Sequence, residues 1–316
     1  MDKKERLKEL HHLDLGEGFC LRRAEAAEWE TYAGVYYHQA TVGFYRNGNG
    51  AGGLLPAGDE PFWLQRDEAV QGGLALSAGA FRHLFALPPF RTDAELIRRI
   101  AQALRRVGGP GQPLRAWDVP DDCAEAYIRA GFRPDPGRFR WMQRPAAEFA
   151  DMLPDPLAWR PVEVLRDSAG ARMALEREAG LLLFKHAPEA GRPELTPPSF
   201  AQTLHRLREW AARSSKAGLD ASSLVYDGAT RALIGVCLIG YAEGCPTIDG
   251  LAVLPAFRGR GVATRMLGRT MTVLARNGER LVRIRIMHGH PIESLCYRLG
   301  FMPGPLFMPE MTLVRS

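Results

Sequence analysis

Paired cysteines, lysine and long apolar runs are what this sequence lacks. Its five cysteines (Cys20, Cys123, Cys237, Cys245, Cys296) are odd in number, widely spaced and form no C-x-x-C pair. That pattern argues against a disulfide framework and against zinc-ligand spacing, so reduced thiols and no metal are expected. No stretch approaches the roughly 20 consecutive apolar residues of a membrane-spanning helix, and no membrane partner is expected. The opening MDKKERLKELHHLDLGEG is charged and has no apolar core of leader type, which points to a cytoplasmic protein. Only Lys3, Lys4, Lys8, Lys185 and Lys216 supply lysine among 41 basic residues; the rest are arginine. The net charge of +5 suits an anionic ligand. The basic residues are dispersed and no reader motif accompanies them, so nucleic acid is not expected as a partner.

What is present is an ordinary globular composition, 46% hydrophobic and 24% charged, which excludes wholesale disorder. The 316 residues suggest two domains, or one large one. Residues 224–253 read as three strands: Leu224-Val225-Tyr226 up to the Asp227-Gly228 turn, the apolar run ALIGVCLIGY, then IDGLAV. From Val262 the spacing becomes helical, with Val262, Met266, Met271 and Leu274 inward and Arg265, Arg269 and Arg276 outward, up to Asn277-Gly278. LVRIRIM then alternates Val282, Ile284 and Ile286 with Arg283 and Arg285, as a half-buried strand does. A short helix, PIESLCYRL, ends at Gly300, and two further strands are expected, the last over EMTLV.

The first half repeats this layout. PPFRTDAELIRRIAQAL (88–104) lies on PAFRGRGVATRMLGRTM (255–271) without a gap, and GFRPDP (131–136) matches GFMPGP (300–305). The intervals between landmarks agree, 131 − 91 = 40 in one copy and 300 − 258 = 42 in the other. Two shared landmarks at near-equal spacing indicate a duplication. The boundary is expected near 155, in the proline- and turn-rich AEFADMLPDPLAW, giving domains 1–155 and 156–316.

FRGRGVATRML (257–267) carries three arginines and two glycines between a strand and a helix. A helix N-terminus offers unpaired N–H groups and the positive dipole end, and glycine lets phosphate oxygens approach that backbone closely. Arginine adds a permanently charged planar fork that fits phosphate. A P-loop would need Lys-Ser/Thr after the glycines, and a G-x-G-x-x-G reading from Gly259 meets Thr264 where the third glycine belongs.

LAVLPAFRGRGVATRML resembles the acyl-CoA-binding motif of the GNAT superfamily of N-acetyltransferases, Arg/Gln-x-x-Gly-x-Gly/Ala, here Arg258, Gly261 and Ala263. The Leu-Gly-Phe ending at Phe301 resembles the second family landmark, and a two-copy chain resembles the tandem members of the family. The resemblance implies an α+β fold of two tandem GNAT-like domains, each a mixed, mostly antiparallel sheet flanked by helices. It implies acetyl-CoA as cosubstrate, with no metal, and a small-molecule or peptide amine as acceptor. Leu251, Ala252 and Val253 would present strand backbone to the pantetheine arm. Arg258, Gly259, Arg260, Gly261, Val262, Ala263 and Thr264 would hold the pyrophosphate. The alternative is a non-catalytic acyl-CoA-binding or sensor protein.

The copies and the family pattern diverge at two places. In the first copy Arg91-Thr92-Asp93-Ala94-Glu95 replaces the loop, with no glycine and two carboxylates, so this copy reads as degenerate. Tyr36, Tyr37, His38, Phe44 and Tyr45 gather near its acceptor-side segment, where an aromatic cluster fits either core or binding surface. In the second copy the family's tyrosine, the acid that reprotonates the thiolate, falls on Cys296, with Tyr297 one residue along and about 100° around the helix. The first-copy count lands on Tyr127. A base is needed to neutralise the amine, and Asp249, on the strand that presents the thioester, is the candidate. It shares side-chain parity with Thr247 and Leu251 if no bulge intervenes; a plain turn or ladder-end role is the other reading.

Overall fold

The computed structural model describes residues 9–37, 54–55, 58–108, 113–149, 157–160, 169–186, 199–242 and 244–313. In chain order the first half contains β1 (His12–Gly16), β2 (Phe19–Arg23), α1 (Ala26–Tyr36), β3 (Glu60–Arg66), β4 (Ala69–Ser77), β5 (Ala80–Ala86), α2 (Ala94–Gly108), β6 (Leu114–Pro120), α3 (Ala124–Arg129), β7 (Phe132–Pro134) and β8 (Phe139–Pro145). The second half contains β9 (Leu157–Arg160), α4 (Ala169–His186), α5 (Phe200–Arg213), α6 (Lys216–Ala221), β10 (Ser223–Asp227), β11 (Leu233–Ala242), β12 (Cys245–Val253), α7 (Val262–Arg276), β13 (Leu281–Met287), α8 (Pro291–Arg298), β14 (Met302–Pro303) and β15 (Phe307–Leu313). The same offset that lays Arg91 on Arg258, 258 − 91 = 167, carries β6 onto β13 at both ends.

The chain forms two compact units, Met1–Phe139 with Pro305–Ser316, and Arg140–Gly304. They do not coincide with a single cut at 155, because each unit takes its last strand from the other half of the chain. In the first unit the strand order is β1-β2-β3-β4-β5-β6-β15, with β7 on β15. There β15 runs antiparallel to β6, from Phe307↔Pro120 to Leu313↔Leu114. In the second unit the order is β8-β13-β12-β11-β10-β9, with β14 on β8. Strand β8 therefore fills in the second unit the slot that β15 fills in the first.

The apolar run of β11 is continuous because the sheet of the second unit is covered on both faces. Cys237 and Ile239 enter a core with Met266, Met271 and Leu274 of α7 and with Leu295 and Cys296 of α8. Val236 and Leu238 enter another with Leu183 of α4 and with Leu207 and Trp210 of α5. Each fully buried aliphatic chain stabilises the unit by about 1.5–3 kcal/mol relative to exposure. In the first unit Leu96, Ile97 and Ile100 give α2 one apolar stripe, packed on Leu74, Phe81 and Ala116.

Two outward arginines turn out to be inside. Arg283 is only 1% exposed, although Val282, Ile284 and Ile286 already supply the strand's apolar core positions. Arg269 is half-buried and donates from one terminal nitrogen to the carbonyls of Asp220 and Ser222, 3.0 Å each, tying α7 to the end of α6. Among the described residues no helix is long and apolar enough to cross a membrane, and no group of three His, Cys, Asp or Glu side chains could hold a metal.

The strand exchange predicts the behaviour of fragments. Expressed alone, 156–316 lacks β8 and is expected to stay unfolded or aggregate. Co-expressed with 1–155 it should assemble into a stable, co-purifying pair. Size-exclusion chromatography and circular dichroism check this; a cooperative melt from 156–316 alone would refute it.

Candidate active site

In the second unit the parallel strands β12 and β13 share one register pair, Thr247↔Arg283. Beyond it, towards Val253 and Met287, they part, leaving the backbone edge of Leu251, Ala252 and Val253 without a ladder partner on that side. The reason lies one strand away. Against β11, Leu238 faces Gly250 and Ile239 faces Ile248, so Asp249 is an extra residue with no counterpart. Such a bulge bends and twists its strand.

The bulge also breaks the side-chain alternation. Leu251 and Ile248 both enter the core under α7 and α8. Asp249 does not share Leu251's parity: its carboxylate is exposed and lies over Gly240, where a Cβ would sit 1.8 Å from Oδ2. Gly240 opposes Thr247 in the ladder. A glycine inside an apolar strand marks such a close approach, and that signal was readable in LIGVCLIGYA.

From the end of β12 the chain passes through a short turn, Pro255–Phe257, into the arginine-glycine loop. Gly259 and Gly261 have φ of 74° and 78°, left-handed values that favour glycine. Gly261 is the N-cap of α7 and no side chain caps that end. Arg265 N–H already bonds Gly261 O at 3.0 Å, which leaves the amides of Val262, Ala263 and Thr264 as the unsatisfied first turn. An ideal Cβ at Gly259 meets no atom within 4 Å, so the approach to this end is open. Arg258 Nε donates to Val253 O at 3.2 Å, pinning the loop to the strand end, and Arg260 stacks over Phe257 with its guanidinium 5.2 Å from the ring centroid.

A cavity of about 650 Å³ lies in the same unit, walled by α5, β11, β12 and β13, and it includes Thr247, Asp249, Gly250 and Leu251. Trp141 of β8, Arg285 of β13 and Ile292 of α8 complete it. The segment LLLFKHAPEAGRPELTPPSF contributes Leu183, while 187–198 lie outside the described residues. Trp141 and the face of α5 carry no motif and were missed from sequence.

The two residues read against the family tyrosine occupy different environments. Cys296 is fully buried in the core of the second unit, where burial, with Glu293 nearby, pushes its thiol up to about 12. Tyr297 is 47% exposed, and its hydroxyl accepts a 2.9 Å hydrogen bond from Arg140. Arg140 Nε also pairs at 3.3 Å with buried Glu293, which accepts from the amide of Gly289 at 2.7 Å. His290 caps α8, its Nδ1 accepting from Ile292 N–H at 3.2 Å.

The first unit is built alike but closed at the corresponding points. Asp93 Oδ1 accepts the Leu96 N–H at 2.8 Å, so the start of α2 is capped by its own side chain, and Glu95 pairs with Arg98 and Arg99. β5 and β6 keep three register pairs, up to Arg82↔Trp117. The bulge persists at His83, whose φ is 55°. Burial lowers the pKa of that imidazole to about 3 and keeps it neutral. Tyr37 packs on His83 at 4.7 Å and donates to Asp118 O at 2.6 Å, so it belongs to the core. Tyr36 is exposed; His38, Phe44 and Tyr45 lie outside the described residues. Tyr127 is buried against Phe81 and Phe132.

Residues 186–301, which lie within the second unit, match the model of the Acetyltransferase (GNAT) family. A GCN5-related N-acetyltransferase from Sphaerobacter thermophilus superposes with a TM-score of 0.62 at 16% identity, over 95% of this chain and 96% of that one. A tandem GNAT protein from the clavulanic acid biosynthesis pathway gives 0.52 at 14% identity, over 94% and 99%. No curated protein matches the sequence. At these identities the likeness establishes the tandem GNAT fold.

The contact of Asp249 with Gly240 yields a test of the carboxylate's placement. In Gly240→Ala the new methyl must displace the end of a flexible side chain, which the fold tolerates. Turnover on an amine acceptor is expected to fall about 10-fold or more, as for a misplaced proton-transfer group, with CoA affinity and melting temperature nearly unchanged. Cys296, a buried thiol well above neutral pKa, should escape iodoacetamide in the native protein and react only after denaturation. Peptide mass spectrometry reads this out.

Proposed function

We propose that this protein is an N-acetyltransferase, moving an acetyl group from acetyl-CoA to a primary amine by direct transfer in a ternary complex. The observation that carries this reading is the uncapped, glycine-entered start of α7 at the mouth of the gap between β12 and β13, with a carboxylate-bearing cavity on the same strand. Arg258, Gly259, Arg260, Gly261, Val262, Ala263 and Thr264 hold the pyrophosphate, the amides donating and the arginines supplying charge. The backbone edge of Leu251, Ala252 and Val253, at whose end Arg258 takes the Val253 carbonyl, lies along the pantetheine arm.

Acetyl-CoA supplies the thioester. Amides on β12 beside the bulge donate to its carbonyl oxygen as negative charge builds there. Asp249, directly or through a water, takes the proton that the ammonium must lose before attack. The N–C bond forms, the C–S bond breaks, and the thiolate takes a proton from Tyr297 or a water, which is made good by the second proton that the nitrogen sheds on becoming an amide. Cys296, buried among apolar side chains, packs the core and carries no acyl group. The first unit is a degenerate copy that binds no CoA: Asp93 occupies with its own carboxylate the amide that a phosphate would need.

Two measurements test this. Calorimetry is expected to give one CoA per chain, weakened about 100-fold or more by Gly261→Glu, the loss of several charge-assisted hydrogen bonds. Gly261→Ala carries the same backbone strain, about 1–2 kcal/mol, without the charge, and should bind far better. A stoichiometry of two would refute the degenerate reading. Asp249→Asn should lower turnover about 10²–10⁴-fold at pH 7. Raising the pH towards the amine pKa, near 10 for an alkylamine, should partly restore it, because the neutral nucleophile then forms in solution. Full activity of Asp249→Asn at pH 7 would rule the base out. CoA binding without thiol release for any amine would favour the sensor alternative.

A further inference from the structure

We infer that Ser222 and Trp210 are positioning residues: from the far edge of β11 they clamp Ile239, the residue against which the bulge is set, and so fix where the Asp249 carboxylate stands. The inference rests on the transferase reading for what that carboxylate does, and on hydrogen bonds alone for how it is held.

Ile239 is where the ladder between β11 and β12 changes step, since the register shifts between Leu238 and Ile239. A bulge is one extra residue, and a ladder can take it up at a neighbouring step. Which step it takes decides where Asp249 points. Cross-strand partners share a face of the sheet, and Ile239, like its partner Ile248, enters the core under α7 and α8. Were Asp249 set opposite Ile239 in place of Ile248, its carboxylate would be driven into that core and out of the cavity.

On its other side Ile239 lies past the end of β10, which begins at Ser223, opposite Cys237. Two side chains stand where that strand gives out. The Ile239 N–H donates to Ser222 Oγ at 2.9 Å, and the Ile239 carbonyl accepts from Trp210 Nε1 at 3.1 Å. The Ser222 hydroxyl gives its own proton to Gly218 O at 2.7 Å, so it meets the Ile239 amide as an acceptor. Ile239 and Ser222 are fully buried, where a backbone group must find a partner inside the protein. Gly218 lets α6 come this close, since a Cβ there would lie 3.0 Å from Ile239 O. Ser222 is anchored in turn from α7, the helix that begins at the arginine-glycine loop. Arg269 donates to the carbonyls of Asp220 and Ser222, and Thr270 Oγ1 donates to Ala221 O at 2.8 Å. One run of hydrogen bonds thus leads from the donor-side helix, through the corner 220–222, to the residue that places the bulge.

The experiment uses the intact chain, labelled with ¹³C at the aspartate side-chain carboxyls, with the Asp249 resonance assigned by its loss in Asp249→Asn. Ser222→Ala removes the acceptor and Trp210→Phe removes the indole donor while keeping a ring in the core. Trp210 also lines the cavity, so Ser222→Ala is the cleaner variant and Trp210→Phe serves if it does not fold. Each is expected to move the Asp249 carboxyl resonance and leave that of Asp227, at the far end of β10, in place. Transfer is followed as CoA thiol release with the fastest amine from a panel of phenethylamine, spermidine, kanamycin and a lysine-containing peptide. Ser222→Ala should lower kcat about 10-fold or more, as for a misplaced proton-transfer group, with CoA affinity within about 2-fold. In the Asp249→Asn background the same substitution should cost less than about 2-fold further, because residues that act through one group are not additive. An unmoved Asp249 resonance in the folded variants overturns the inference, as does an equal fall in kcat with and without the Asp249 carboxylate. A moved resonance with no thiol release from any amine, or with full activity in Asp249→Asn, would sink the transferase or base reading and leave the clamp in place.

Discussion

Everything in the candidate site depends on one residue inserted into a strand. Asp249 is inserted into β12 where β11 has nothing to set against it. The resulting twist takes β12 away from β13 after a single register pair. Parting two neighbouring strands inside a sheet exposes backbone donors and acceptors that elsewhere would be spent on each other. Here the loss is confined to one gap, and the loop at its end is built from residues that can also use an external partner. The same insertion turns the Asp249 side chain away from the core face that Leu251 follows and sets it in the cavity. Opening the sheet and aiming the carboxylate are thus one structural event.

The two units show how little has to change for such a site to close. Both have a helix of the same length after the corresponding strand, and both retain the bulge. Where one helix begins at a left-handed glycine with bare amides, the other begins at Asp93, whose carboxylate satisfies an amide from within. A capped helix is the more stable local choice by about 1 kcal/mol. An uncapped one at the end of a parted strand pair forgoes that stability and keeps its first amides available. Aromatic side chains complete the closure, with Tyr37 filling the space beside His83.

Much of the second unit was legible because its signals are local. The strand run from Leu224 to Val253, the stripe of α7 and the stop at Gly278 follow from periodicity and turn chemistry, and the paired landmarks disclosed the duplication. What was not legible depends on contacts between distant residues. Arg283 reads as an outward residue on an alternating strand, and only the tertiary packing around it makes it interior. The bulge has no signature beyond Asp-Gly in a strand, and its effect on parity reversed the expected kinship of Asp249 with Leu251. Gly240 could have been singled out, since a glycine between an isoleucine and a tyrosine in a buried strand asks what lies against it. Trp141 could not, because its place in the cavity follows from strand order. The proline-rich segment near 155 suggested a boundary between copies in the sequence, and the compact units are divided at 139/140 and again at 304/305.

That second division sets an order on folding. Residues 307–313 form the strand beside β6, so the first unit cannot complete its sheet until they have been made. Until then it must persist with the edge of β6 uncovered, an edge that other chains can pair with. The unit that is translated first therefore finishes last, through contacts far apart in sequence that are slow to form. The copy with its cap closed and the copy with its cap open each need a strand from the other half of the chain, so neither can be lost without the other losing its sheet.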